Sequence, residues 1–181
     1  MGELIVIEFV TLDGVVEDPD GSGATLAGGW AFRHGPEAVA GDKFDLGPLL
    51  DTGVMLFGRT TWELFTKIWS GRTDPFSAKL NAIPKLVASR TLTSATGWRN
   101  STLISGDLVS SVQRAKASQD VIMTGSVSLA HELADLVDEY RLMVFPTVAG
   151  SGRRLFSAQP MDLRLTSVEQ KGAAALMRYR K

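Results

Sequence analysis

No cysteine occurs among the 181 residues, which excludes disulfides, thiolate metal sites and cysteine nucleophiles. Histidine is nearly as scarce. His34 and His131 stand far apart without a second ligand at metal spacing, so no metal site is expected. No apolar run approaches the ~20 residues that cross a bilayer, and the first residues lack the layout of a signal peptide. A cytoplasmic protein that engages no membrane is therefore expected. Neither sign of charge dominates: 19 Lys and Arg face 20 Asp and Glu for a net charge of −1, so no footprint for nucleic acid is present. Several catalytic signatures are missing too. There is no Gly-x-Ser-x-Gly elbow for a serine hydrolase and no lysine after a glycine loop for a P-loop phosphotransferase. Gly21-Ser22-Gly23 and Gly150-Ser151-Gly152 have no third glycine in register, so the standard dinucleotide fingerprint is absent as well.

What is present suits a soluble globular chain. It is 44% hydrophobic and 22% charged, with 18 glycines, and its length fits one domain over 1–181. Leu4 to Val10 reads as a β-branched strand that leaves through a turn at Asp13-Gly14. A glycine-rich loop, Asp18 to Gly29, ends at Trp30; loops this long are either functional or disordered. A weak helix is expected within Pro36–Leu50 and a second strand over Gly53–Phe57, with a helix opening at Arg59. Residues 68–82 read as a surface segment. Lys85–Ala88 and Leu103–Ile104 read as strands, and Asp107 is the N-cap of a helix reaching Ala117. Leu163–Val168 and Ala173–Tyr179 read as the last strands. Alternating strands and helices indicate an α/β domain with a mostly parallel sheet.

The chain is organised around Asp120 to Phe156. Val121–Thr124 reads as a buried strand, Gly125-Ser126 as a turn, Leu129 to Val137 as an amphipathic helix and Leu142–Phe145 as a second strand, together one βαβ unit with parallel strands. Gly125 lets the backbone approach a ligand closely, and the free amides at the helix start can receive a phosphate. Two more strand ends carry similar residues, Gly58-Arg59-Thr60-Thr61 and Ser89-Arg90-Thr91. Ligands of open α/β sheets bind beyond the carboxyl ends of parallel strands. Three such turns on one edge, with two arginines and several hydroxyls, point to a polyphosphate. The plainer alternative is that Arg59 and Arg90 are surface arginines.

These segments also resemble a known family. Phe57-Gly58-Arg59-Thr60-Thr61-Trp62-Glu63, Val87 to Thr91 and the Val121–Ser126 turn are similar to the corresponding turns of dihydrofolate reductase. Thr11-Leu12-Asp13-Gly14, Asp138 to Arg141 and the run from Pro146 through Gly150-Ser151-Gly152 to Leu155-Phe156 more closely resemble the dihydrofolate-reductase-like reductase domain of riboflavin biosynthesis. The resemblance runs over nearly the whole chain. It implies a dihydrofolate-reductase-like three-layer α/β fold, a mixed and mostly parallel sheet flanked by helices, and membership among often homodimeric proteins. It further implies NADPH as hydride donor. Gly58, Arg59, Thr60, Thr61, Thr124, Gly125, Ser126 and Val127 would cradle the pyrophosphate, while Ser89 and Arg90 would read the 2′-phosphate. The implied reaction is reduction of a nitrogen-containing heterocycle or Schiff base, as in 5-amino-6-(5-phosphoribosylamino)uracil reductase. The alternatives are dihydrofolate reduction and a non-catalytic NADPH-binding module. Asp13 would orient the substrate or assist proton transfer with a pKa raised by enclosure, unless it is simply a turn residue. Trp30, Asp42, Phe57 and Phe145 are further substrate-side candidates, although for each aromatic core packing is the stronger reading. Lys79, Arg153 and Arg154 are candidate cations for a substrate phosphate, Arg153-Arg154 on its glycine loop being the better one.

Overall fold

The computed structural model describes residues 1–40, 46–156 and 160–181. Its strands are β1 (Leu4–Thr11), β2 (Val54–Gly58), β3 (Lys85–Ala88), β4 (Ser101–Leu103), β5 (Val121–Thr124), β6 (Glu139–Phe145), β7 (Arg164–Lys171) and β8 (Ala174–Arg180). They hydrogen-bond as one sheet in the order β4-β3-β2-β5-β1-β6-β8-β7. β2 runs parallel to β3 and β5, β3 runs parallel to β4, and β8 is antiparallel to both β6 and β7. The sheet is therefore mixed. β5 and β6, the two strands of the expected βαβ unit, are separated by β1.

By contacts the chain divides into two compact units. The first comprises Met1–Ile5 and Leu46–Leu136, and the second Val6–Asp45 and Val137–Lys181. In the first unit, β2 and β5 lack period-two alternation because they are covered on both faces: Val54 to Phe57 and Val121 to Thr124 are all buried. Phe57 packs there between Phe65 and Trp98, with ring centroids 5.4 and 5.7 Å away. Helices α2 (Leu49–Thr52) and α3 (Arg59–Trp69) bracket β2. Residues 68–82, expected as surface chain, instead contain α4 (Pro75–Ala82). Its start is well specified: Pro75 occupies the first turn, and the Asp74 carboxylate accepts from the Ser77 amide at 3.1 Å. Helix α5 (Leu108–Lys116) is capped as expected, Asp107 accepting from the Ser110 amide at 2.8 Å. After β5 comes α6 (Val127–Glu132), only six residues long, with the 3-10 turn Ala134–Leu136 following it.

In the second unit, the antiparallel pair β6–β8 lays Met143, Phe145, Ala174 and Leu176 against Trp30, Ala31 and Ala38. Trp30 and Phe145 meet edge to face at 5.4 Å, and Phe9 meets Phe145 at 5.1 Å. Of the weak helix expected over 36–50, α1 (Pro36–Ala40) and α2 supply the two ends, while residues 41–45 lie outside the described residues. Among the described residues no helix is long and apolar enough to cross a membrane.

Candidate functional site

Within the first unit, the parallel register places Gly58 opposite Ala88 and Leu56 opposite Met123. The chain consequently leaves β3, β2 and β5, three adjacent strands, at the same edge. Ser89-Arg90, Gly58-Arg59 and Gly125-Ser126 are the residues found there. The middle turn leads straight into α3, whose N-cap, Gly58, offers no side chain to satisfy the first-turn amides. The amide of Gly58 itself donates to Ser126 Oγ at 2.8 Å. The amides of Arg59, Thr60 and Thr61 are thus left without intrahelical acceptors at the positive end of an eleven-residue helix. This is an arrangement that receives a phosphate.

The β5 turn is left-handed at two consecutive residues, Gly125 with φ 64° and Ser126 with φ 62°. At position 125 only glycine fits, because a Cβ would lie 2.7 Å from Thr61 Cγ2. The Ser126 amide donates to Thr61 Oγ1 at 3.1 Å. Thr124 is buried beneath this turn and Val127 is buried at the start of α6. Because α6 is shorter than the expected helix, its dipole adds little, and α3 carries the electrostatics. Arg59 is exposed and its guanidinium is turned along the helix to Glu63, 3.1 Å away. Arg90 is exposed and pairs with no acid among the described residues. Ser89 Oγ accepts from the amides of Thr91 and Leu92 at 3.2 and 2.9 Å, which holds the Arg90 turn in shape.

In the second unit, Asp13 is a tether. Its Oδ1 accepts from Thr11 Oγ1 at 2.6 Å and from the Ala149 amide at 3.0 Å, and its Oδ2 accepts from the Gly150 amide at 2.8 Å. The Thr11 hydroxyl, then the amides of Ala149 and Gly150, outweigh burial and lower its pKa to about 2. This reverses the expected direction: the carboxyl is not raised by enclosure and holds no proton near neutrality. Around it the Asp13-Gly14 turn and the 146–155 loop are sewn together. Leu12 N donates to the Thr147 carbonyl, Val16 N to the Arg153 carbonyl and Leu155 N to the Gly14 carbonyl. Gly152, at φ 130°, leaves no room for a Cβ, which would sit 2.7 Å from Val15 Cγ1. Arg153 is exposed and lies 3.5 Å from Glu17, and Arg154 lies 4.0 Å from Asp13.

The remaining substrate-side candidates fall in different surroundings. Trp30, Phe57 and Phe145 are fully buried, and Trp30 Nε1 donates to the Glu17 carbonyl at 2.9 Å, so all three are packing residues in their own units. Asp42 lies outside the described residues. Lys79 pairs with Asp51 at 2.7 Å. Two features escaped the sequence reading. The Asp18 carboxylate organises the glycine-rich loop, accepting from Gly23 N at 2.7 Å and from Thr25 N and Oγ1 at 2.9 Å. Burial pushes its pKa up, but these bonds outweigh it and hold the group below the usual carboxylate range. His34 Nε2 shares a hydrogen bond with Thr147 Oγ1 at 2.7 Å. Short-range spacing signals the first, since Asp is followed by glycines that need an acceptor. The second joins residues 113 apart and leaves no local signal.

Among curated protein sequences none matches the chain. Solved structures do. A candidate riboflavin biosynthesis protein of Shewanella sp. PV-4 is 21% identical with a TM-score of 0.73, covering 99% of this chain and 98% of its own. A bifunctional diaminohydroxyphosphoribosylaminopyrimidine deaminase and 5-amino-6-(5-phosphoribosylamino)uracil reductase from Thermotoga maritima is 13% identical with a TM-score of 0.62. The match covers 99% of this chain and 56% of that one, so this chain spans little more than half of its length. Enterococcus faecalis dihydrofolate reductase, complexed with NADP(H), is 15% identical with a TM-score of 0.59, over 99% and 96% of the two chains. The expected dihydrofolate-reductase-like α/β fold is borne out by these likenesses. The family model for the RibD C-terminal domain matches residues 3–177, and the chain belongs to that family.

Proposed function

We propose that the chain is an NADPH-dependent reductase acting on a nitrogen-containing heterocycle or Schiff base, of the kind handled in riboflavin biosynthesis. The observation that carries this reading is the set of three adjacent strand-end turns, with the uncapped start of α3 at their centre and the exposed Arg90 beside it. The residues fit the cofactor. Arg59, Thr60 and Thr61 would hold the pyrophosphate through backbone amides, and Ser89 and Arg90 would hold the 2′-phosphate. When bound, the nicotinamide supplies a hydride. The chain's part is to orient the dinucleotide and to present the substrate.

Titration of the four tryptophans' fluorescence with NADPH and with NADH tests this. Tight binding that prefers NADPH is expected, and binding of neither would sink the reading. Arg90→Ala should remove the preference, weakening NADPH about tenfold or more while leaving NADH nearly unchanged, as expected for one charge-assisted contact. A second reading, an NADPH-binding module without turnover, is favoured by one observation: the Asp13 carboxylate is spent on the 146–152 loop and held ionised. The two readings part on consumption of NADPH with 5-amino-6-(5-phosphoribosylamino)uracil or with dihydrofolate. Loss of nicotinamide absorbance supports the enzyme, and its absence with both, despite tight binding, supports the module.

A further inference from the structure

The two turns that frame the start of α3 form one closed ring of contacts. Ser126 N donates to Thr61 Oγ1 and Ser126 Oγ accepts from Gly58 N, across 65 and 68 residues of sequence. Residues 58–61 and Ser126 thereby close on each other. The methyl of Thr61 fills the space where residue 125 has no Cβ. Ser126 has a left-handed backbone that a non-glycine residue does not adopt unaided. Its two hydrogen bonds are what hold it there. They also engage the Gly58 amide, so the donors left without intrahelical acceptors are those of Arg59, Thr60 and Thr61.

Resting on the nucleotide reading above, we infer that Thr61 is a positioning residue: its side chain locks the β5 turn to the β2–α3 turn and so fixes the amides that receive the cofactor's pyrophosphate. The two halves of the side chain separate the roles. The hydroxyl holds Ser126, and the methyl only fills space.

The test compares Thr61→Val, which keeps the shape and removes the acceptor, with Thr61→Ser, which keeps the acceptor. Amide exchange is followed at Ser126 and Gly58 in the free protein, and NADPH is titrated into each variant. Thr61→Val should speed exchange at both amides together and weaken NADPH binding about tenfold, the loss of one half-buried hydrogen bond with its partner left unsatisfied. Thr61→Ser should restore protection and most of the affinity. Ser126→Ala, which removes the Gly58 acceptor instead, should reproduce the weakened binding and serves if Thr61→Val does not fold. A merely structural role would lower the melting temperature of Thr61→Val and leave its NADPH affinity in the cold unmoved. That result, or exchange rising at Ser126 alone, overturns the inference while leaving the nucleotide reading intact. Failure of the unsubstituted protein to bind NADPH overturns both.

Discussion

Asp13 and Lys85 are two ionisable groups whose surroundings move them in ways that stability measurements can read. Asp13 has a folded pKa of about 2 against the ordinary 3.8, because the Thr11 hydroxyl and the amides of Ala149 and Gly150 favour the charged form. Its contribution to stability is therefore complete above the unfolded value and disappears as pH falls through the folded one. Asp13→Asn should flatten the acid limb: between about pH 4 and pH 2 the melting temperature of the native protein should fall more steeply than the variant's. Amide exchange at Ala149 and Gly150 should rise in the same variant. Lys85 is opposite in character. Its side chain is buried, donating to the carbonyls of Ile83 at 2.7 Å and of Asn81 and Arg99 at 3.3 Å, with the Trp98 ring 4.4 Å from the ammonium. Burial, then the charge of Arg99, lowers its pKa from 10.5 to about 8. Between those two values the unfolded chain keeps a proton that the folded chain has released, so this group's contribution to stability rises with pH. Lys85→Met should abolish that rise in denaturant melts taken between about pH 8 and pH 10.5. Neither shift was legible in the sequence. Asp-Gly announces a turn, but beyond the Thr11 hydroxyl two residues away the lowering comes from amides 136 and 137 residues away. A lysine at the start of a strand gives no sign that its ammonium will be enclosed.

At the scale of elements, the turns were more legible than the helices. Gly58, Ser89 and Gly125 end buried strands whose composition alone marks them, and the structure brings all three to one edge. The helix after Gly125 was read as long because Leu133 and Leu136 continue the apolar spacing. It ends at Glu132, with a 3-10 turn taking over and using the same apolar residues. Helix α4 was missed because its eight residues have little amphipathic pattern, although Asp74-Pro75 is a start signal. The element-level prediction concerns the β5 turn. Gly125→Ala must place a methyl 2.7 Å from Thr61 Cγ2 at a φ of 64°. A destabilisation of roughly 1–3 kcal/mol is expected in denaturant melts, together with loss of measurable NADPH binding, since the turn and the start of α3 move together.

For the whole molecule, the α/β class and the family were readable because six short segments occur in one order along the chain, most of them tied to a strand end. Strand order was not, because parallel neighbours come from segments far apart and no local residue encodes which pairs form. Ligand linkage gives the prediction at this scale. Saturation with NADPH at about a hundred times its dissociation constant should add about 2.7 kcal/mol to stability and raise the melting temperature, whereas equimolar NADH should give a smaller shift. An equal shift from both would remove the 2′-phosphate from the reading. The first strand carries a different consequence. Glu3 N donates to the Asp120 carboxylate, 117 positions later, and Val121 N donates to the Glu3 carbonyl, so residues remote in sequence fix the start of the first strand. During synthesis on the ribosome, the strand Leu4–Thr11 must therefore wait for its partner until Val121–Thr124 emerges. Closing so long a loop is entropically slow, and the waiting strand is exposed to aggregation throughout. Translation speed and chaperone access before β5 emerges should thus govern the yield of native protein more than the stability of the finished sheet.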